Sequence, residues 1–331
     1  MKRNSVGVVG AGSWGTTLAR ILGDNDHDTL VWAYEKEVRE EINAEHTNSR
    51  YVPELTLSDK VRATGDLQQL CESCQFMLMV VPSHVFRKVA YEMGSHLDGE
   101  HVIVHCTKGI EQETFRRMSQ VLREETCVRK IGALCGPNLA KELAARHPAG
   151  TLVASHYDDV VRAAQRYLHN SYFRVYGGSD VVGTEVGGAF KNIVAVCAGV
   201  VDGMKLGDNT KALLLTRGLS EMARYGASLG AQVLTFGGMA GIGDLMATCA
   251  SPHSRNHQVG ERLARGETLQ QIQDSMFMVA EGVKTARSVQ AYASYQGLEL
   301  PIVQAAHGLL HEGKSVQEAM EELMSRDVQR E

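Results

Sequence analysis

A lysine and an asparagine stand side by side, Lys191-Asn192, in a run from Gly187 to Val201 whose other side chains are small or apolar. A polar pair in such surroundings costs several kcal/mol unless it finds partners, so it needs either a counter-ion or a reaction. Burial and a neighbouring cation draw a lysine amine towards the range useful for proton transfer. Asp202 lies eleven residues further on, close to three helical turns, and is expected to share the Lys191 face and pair with it. A buried ion pair without chemistry is the competing reading.

Other reactive groups cluster downstream. Asp244 and Thr248 are four apart and would share a helix face. Ser254-Arg255-Asn256 puts a hydroxyl, a planar guanidinium fork and an amide in three residues, a set suited to phosphate or carboxylate oxygens. Glu281 sits between two helical stretches, where a carboxylate meets either a ribose or only water. Upstream, three loops each follow an apolar run: Val81-Pro82-Ser83, Thr107-Lys108-Gly109 and Gly136-Pro137-Asn138. Lys108 suits an anionic ligand, although a loop lysine is more often simply solvated.

The elements that must position these groups begin with Val6 to Val9, an apolar run that meets Gly10-Ala11-Gly12-Ser13-Trp14-Gly15 and then a helical stretch. A strand, a G-x-G-x-x-G turn and a helix together make a seat for a pyrophosphate. Gly10 permits the turn, Gly12 admits the phosphates and Gly15 lets helix and strand pack. Glu35 follows the second apolar run about 20 residues on, where a carboxylate accepts ribose hydroxyls and repels a 2′-phosphate; a solvated helix-start carboxylate is the alternative.

Apolar runs at 29–34, 76–81, 101–105, 131–134, 151–154 and 173–176 alternate with amphipathic stretches. That alternation predicts βαβ units: an α/β fold with an N-terminal Rossmann-type, doubly wound, mainly parallel sheet. Past Gly177-Gly178 the runs become long and helical, predicting an all-α C-terminal domain. The expected division is 1–178 for dinucleotide binding and 179–331 for substrate and catalysis.

With 331 residues and a formal charge of -5, the chain carries no basic surface for nucleic acid. No apolar run is expected to span a bilayer, and the N-terminus reads as a first strand rather than a targeting segment. The seven cysteines are scattered, and Cys71-x-x-Cys74 lacks a second pair, so reduced thiols and no metal are expected.

The glycine turn, Val81-Pro82-Ser83, Thr107-Lys108-Gly109, Gly136-Pro137-Asn138, Gly188-Ala189-Phe190-Lys191-Asn192, Gly241-Ile242-Gly243-Asp244 and Ser254-Arg255-Asn256 occur in one order. In that combination the chain closely resembles the bacterial NAD(P)-dependent sn-glycerol-3-phosphate dehydrogenases, from the first strand to about residue 315. The resemblance implies a cytoplasmic homodimer that interconverts dihydroxyacetone phosphate and sn-glycerol 3-phosphate with NAD or NADP, mainly to supply phospholipid synthesis. By matching position, Lys191 takes the general acid/base role. Lys108, Gly136, Asn138, Asn192, Asp244, Thr248, Ser254, Arg255 and Asn256 resemble the substrate pocket. Gly10, Gly12, Ser13, Trp14, Gly15, Tyr34, Lys108, Ala140, Arg255, Val279 and Glu281 resemble cofactor contacts. Tyr34 stands where many relatives carry His or Arg, and Asn138 where Ser or Thr is common.

Two rivals share parts of this pattern. A β-hydroxyacid dehydrogenase has the same two-domain plan but places Asn four residues after its lysine, where this chain has Ala195. A non-catalytic NAD(P)-sensing protein would keep the glycine turn and need no buried lysine.

Overall fold

In a computed structural model, residues 5–276 and 280–326 are described. The apolar runs become strands because β-branched and large apolar side chains can be covered on both faces of a pleated ribbon. The strands are β1 (Ser5–Val9), β2 (Thr29–Trp32), β3 (Thr47–Asn48), β4 (Val52–Thr56), β5 (Val61–Thr64), β6 (Cys74–Met79), β7 (Val102–His105), β8 (Lys130–Cys135), β9 (Ala149–Ser155) and β10 (Phe173–Gly178). Eight of them form one sheet in the order β10-β9-β8-β7-β6-β1-β2-β5, while β3 and β4 make a separate hairpin. Every neighbouring pair in the sheet is parallel except β8 with β9.

Among the described residues seven helices accompany the strands: α1 (Ser13–Asp24), α2 (Lys36–Glu45), α3 (Leu67–Ser73), α4 (Ser83–Gly94), α5 (Met118–Glu125), α6 (Ala140–Ala144) and α7 (Asp158–Leu168). Side-chain alternation along a strand divides its residues between two layers. Phe76 and Leu78 join a core with Leu18 and Ile21 of α1, whereas Met77 and Met79 join another with Phe86 and Met93 of α4. Both faces are therefore covered. The chain builds β2 and β5 on one side of β1, then crosses to β6 on the other. Ligands gather at such a reversal, beyond the carboxyl ends of the strands.

The sequence reading missed β5 and the β3–β4 hairpin. Val61-Arg62-Ala63-Thr64 is a short edge strand with a charge in it, and Val52-Pro53-Glu54 resembles a loop because proline cannot donate to a ladder.

The remaining helices are α8 (Val181–Gly203), α9 (Asp208–Ser228), α10 (Asp244–Ala250), α11 (Arg255–Ala264), α12 (Leu269–Ser275), α13 (Glu281–Gln296), α14 (Pro301–His311) and α15 (Val316–Met324). Two compact units emerge. One holds the described residues up to Lys108 together with Arg117–Glu185; the other holds Gly109–Arg116 and the described residues from Val186. Contrary to the sequence reading, α8 is long and apolar enough to cross a bilayer, although 89% of its most apolar stretch is buried inside the protein.

The first residues of α8 belong to the sheet unit, and there Glu185 is buried. Its carboxylate accepts from the Ser119 amide at 2.7 Å and the Ser119 hydroxyl at 2.8 Å, and it pairs with Arg117. His105 Nε2 lies 3.0 Å away. Burial alone would raise the Glu185 pKa, but His105, Arg117 and the Ser119 amide outweigh it and hold the value at about 2, against 4.5 ordinarily. A carboxylate whose pKa is lowered on folding stabilises the fold fully above its unfolded value and loses that contribution as pH falls. Thermal unfolding from pH 4.5 down to 2 is expected to show a shallower acid limb for Glu185→Gln than for the unaltered chain. Superimposable limbs would remove Glu185 as the source.

Candidate active site

The turn between β1 and α1 has the shape of an anion cradle. Gly10 adopts a φ of +117°, a conformation side chains resist. A Cβ on Gly15 would lie 1.9 Å from the Gly10 carbonyl oxygen, so only glycine lets the helix start this close to the strand. A Cβ on Gly12 would meet nothing within 4 Å, which leaves open space over the first turn of α1. Among the described residues no side chain caps this helix, and no acidic residue lies in its first turn. Its leading N–H groups and dipole thus favour an anion, and the cradle fits the pyrophosphate of a dinucleotide.

At the end of β2, Glu35 accepts a hydrogen bond from the Tyr51 hydroxyl at 2.7 Å, and the Tyr51 carbonyl accepts one from Ser13 Oγ at 3.0 Å. Burial, reinforced by Glu35, pushes the Tyr51 phenol up to about 12, so it remains a donor. Sequence reasoning missed Tyr51 because nothing local ties it to either residue. The Tyr34 ring is largely in solvent, edge-on to Trp32. Trp14 lies edge-on to Phe173.

The later strand ends brace one another. Thr107 Oγ1 donates to the Val81 carbonyl at 2.6 Å, linking the loops after β7 and β6. Lys108 Nζ donates to the Gly136 carbonyl at 3.4 Å, linking those after β7 and β8. Asn138 spends its amide on β9: Nδ2 donates to the Gly150 carbonyl at 2.9 Å, and Oδ1 accepts from Thr151 at 2.9 Å. Ala140 opens α6.

In the helical unit, Lys191 is 6% exposed. Its Nζ donates to Asp244 Oδ1 at 2.7 Å and to Thr248 Oγ1 at 2.5 Å, and Thr248 in turn donates to Asp244 at 3.2 Å. The expected partner, Asp202, is not the one used. Eleven residues along a helix span about 16 Å, far beyond a lysine's reach however well the faces align. Asp202 bonds Lys211 and His257 instead. Asp244 reaches Lys191 because it opens α10 directly after a π-helical turn, Met239–Gly243, the kind of insertion that redirects a helix at functional sites.

A second chain of bonds runs beside this one. Asn256 Nδ2 donates to Asn192 Oδ1 at 2.9 Å, Asn192 Nδ2 to the Gly188 carbonyl at 3.3 Å, and the Gly282 amide to Asn256 Oδ1 at 2.8 Å. An amide nitrogen carries two donors, so each asparagine keeps one beyond these bonds among the described residues. Ser254 caps α11 through its hydroxyl, which receives the His257 amide. Arg255 follows at the start of α11; desolvation lowers its guanidinium pKa from the ordinary value, and the nearby Glu281 carboxylate opposes that only in part. Val279 lies outside the described residues. The unit thus gathers a carboxylate-bound ammonium, two amides and a guanidinium, donors suited to a carbonyl or hydroxyl oxygen and an oxyanion.

Comparisons with known proteins agree across the chain. Residues 5–161 match the family described as NAD-dependent glycerol-3-phosphate dehydrogenase N-terminus, and residues 180–321 its C-terminus. The chain is 42% identical to a glycerol-3-phosphate dehydrogenase [NAD(P)+] of Macrococcus caseolyticus, over 97% of this chain and 98% of that one. It is 45% identical to one of Streptomyces griseus, over 98% and 97%. A crystal structure of glycerol-3-phosphate dehydrogenase from Coxiella burnetii superposes with a TM-score of 0.94 at 35% identity, covering 98% of this chain and 99% of that one.

Removing one partner of a buried pair leaves an uncompensated charge. Asp244→Ala is expected to cost about 3–5 kcal/mol in denaturant unfolding, and adding Lys191→Met should recover most of the loss. A single variant within about 1 kcal/mol of the unaltered chain would mean the ammonium is not buried as described.

Proposed function

The chain belongs to the NAD-dependent glycerol-3-phosphate dehydrogenase family, and on that premise we propose how its residues interconvert dihydroxyacetone phosphate and sn-glycerol 3-phosphate. The observation that carries the reading is the buried Lys191 ammonium held by Asp244 and Thr248. As an NAD(P)-dependent oxidoreductase, the protein takes either NAD or NADP. When bound, the nicotinamide ring supplies the hydride in reduction and takes it back in oxidation.

Lys191 acts at the oxygen on C2 of the substrate. In reduction its ammonium gives a proton to the alkoxide that develops there; in oxidation the neutral amine removes the hydroxyl proton. Asp244 and Thr248 aim the amine and balance its charge. We assign Asn192, Ser254, Arg255 and Asn256 in the helical unit, and Lys108, Gly136 and Asn138 in the sheet unit, to the substrate. Arg255 and Asn256 take the phosphate, whose binding energy places the reacting carbon. Gly10, Gly12, Ser13, Trp14 and Gly15 hold the pyrophosphate side of the cofactor, with Tyr34, Lys108, Ala140, Arg255, Val279 and Glu281 as further cofactor contacts. Residues 1–178 form the dinucleotide-binding domain and 179–331 the substrate domain.

Asn138 enters this scheme with one amide N–H and its oxygen bonded to β9, which fixes the plane of the amide. The rival β-hydroxyacid chemistry would leave Arg255 and Asn256 without a phosphate to bind. Supply of glycerol 3-phosphate to phospholipid synthesis is the role that fits the reducing direction. A cytoplasmic setting accords with seven free cysteines. A homodimer accords with the large apolar side chains left in solvent at Leu213 and at Val233-Leu234.

Lys191→Ala is expected to lower kcat for dihydroxyacetone phosphate reduction by roughly two to four orders of magnitude while NADH binding, followed by fluorescence, persists. Near-normal turnover would remove the proton-transfer role, and the same assay run with NADH and NADPH reads the cofactor preference. Light scattering on the unaltered protein should give twice the chain mass, falling towards the monomer for Leu234→Glu; a monomeric starting protein would refute the dimer.

A further inference from the structure

The helix that starts with Arg255 and Asn256 is held by a contact outside the assigned residues. Along α11 and α8 the two backbones touch: a Cβ on Gly199 would lie 1.9 Å from the His257 carbonyl oxygen, and one on Gly260 would lie 1.8 Å from that of Val196. The contact fixes the distance between the helices, and the Asn256–Asn192 bond ties the first turn of α11 to α8 at one point. His257 supplies a second tie to α8, one residue on from Asn256 and outside the assigned residues. Its ring is buried, and Nε2 lies 2.7 Å from Asp202 Oδ2, near the end of α8. Lys211 Nζ of α9 donates to the same oxygen at 2.6 Å, so the carboxylate is itself pinned. Among the described residues Nδ1 of the ring has no partner, which leaves the Asp202 bond alone to set the imidazole. His257 is two residues from Arg255 and adjacent to Asn256, and its amide closes the Ser254 cap.

We propose that His257, anchored by Asp202 and Lys211, is a positioning residue for the phosphate end of the substrate, because it fixes the first turn of α11 and with it Arg255 and Asn256. The inference rests on the assignment of those two residues to the phosphate. It concerns binding, not proton transfer, so its mark is a change in KM at nearly constant kcat.

In the full-length protein, His257→Leu is expected to raise KM for dihydroxyacetone phosphate roughly tenfold, with kcat within about twofold and the Kd for NADH unchanged. His257→Gln, which keeps a donor, should restore most of the affinity. Asp202→Ala should reproduce the KM rise, and it carries the same expectation should His257→Leu fail to fold. A KM indifferent to residues 257 and 202, or a loss of kcat with KM unchanged, would overturn the proposal while leaving the wider assignment standing. No turnover of dihydroxyacetone phosphate by the unaltered protein would overturn that assignment and this proposal with it.

Discussion

Taking an ammonium group out of water costs several kcal/mol even after the surroundings relax, and in α8 nearly every neighbour of Lys191 is apolar. The structure meets that cost with one carboxylate at 2.7 Å and one hydroxyl at 2.5 Å. Such a pair is a poor way to stabilise a helix packing, since apolar residues of the same volume commonly do as well or better. A methionine at 191 would fill α8 without needing Asp244, Thr248 or the π-helical turn that presents them. The arrangement makes physical sense as a means of keeping one charged amine in a fixed place with little water about it. In the proposed reaction that placement would pass a proton between the amine and a single oxygen rather than into bulk solvent.

Much of the frame was legible because the physics behind it is local. A strand covered on both faces must be apolar throughout, and Phe76 to Val81 could hardly be anything else. The glycine turn was legible for the same reason: the positive φ at Gly10 and the close approach at Gly15 are demands on single positions. Asp244, Thr248 and the Ser254-Arg255-Asn256 triplet announced themselves by type and spacing.

What could not be read is the pairing across long stretches of chain. Asp244 lies 53 residues from Lys191, and helical periodicity pointed to Asp202 because it reports direction around an axis and says nothing of distance along it. Glu185 bonds residues 66 positions earlier, and the Tyr51 hydroxyl finds Glu35 only because the β3–β4 hairpin brings it there. Asn138 was equally hard to read. Nothing in its own stretch of sequence showed that one amide N–H and the amide oxygen would be bonded to β9.

These internal bonds share a consequence. A ligand oxygen is bound well by donors that are already aimed, because little entropy remains to be lost when it arrives. Asn192 and Asn256 are long-range partners of each other, and the Gly282 amide holds the second from behind, so both amide planes are set before any substrate enters. Lys191 is set by Asp244, and α11 by its glycine contact with α8 together with the His257–Asp202 bond. Groups this constrained cannot reshape themselves around a different ligand. On the proposed assignment, selectivity would follow from the same bonds that fold the helical unit: a compound without an anionic end would forfeit Arg255, and one without an oxygen beside its reacting carbon would forfeit Lys191.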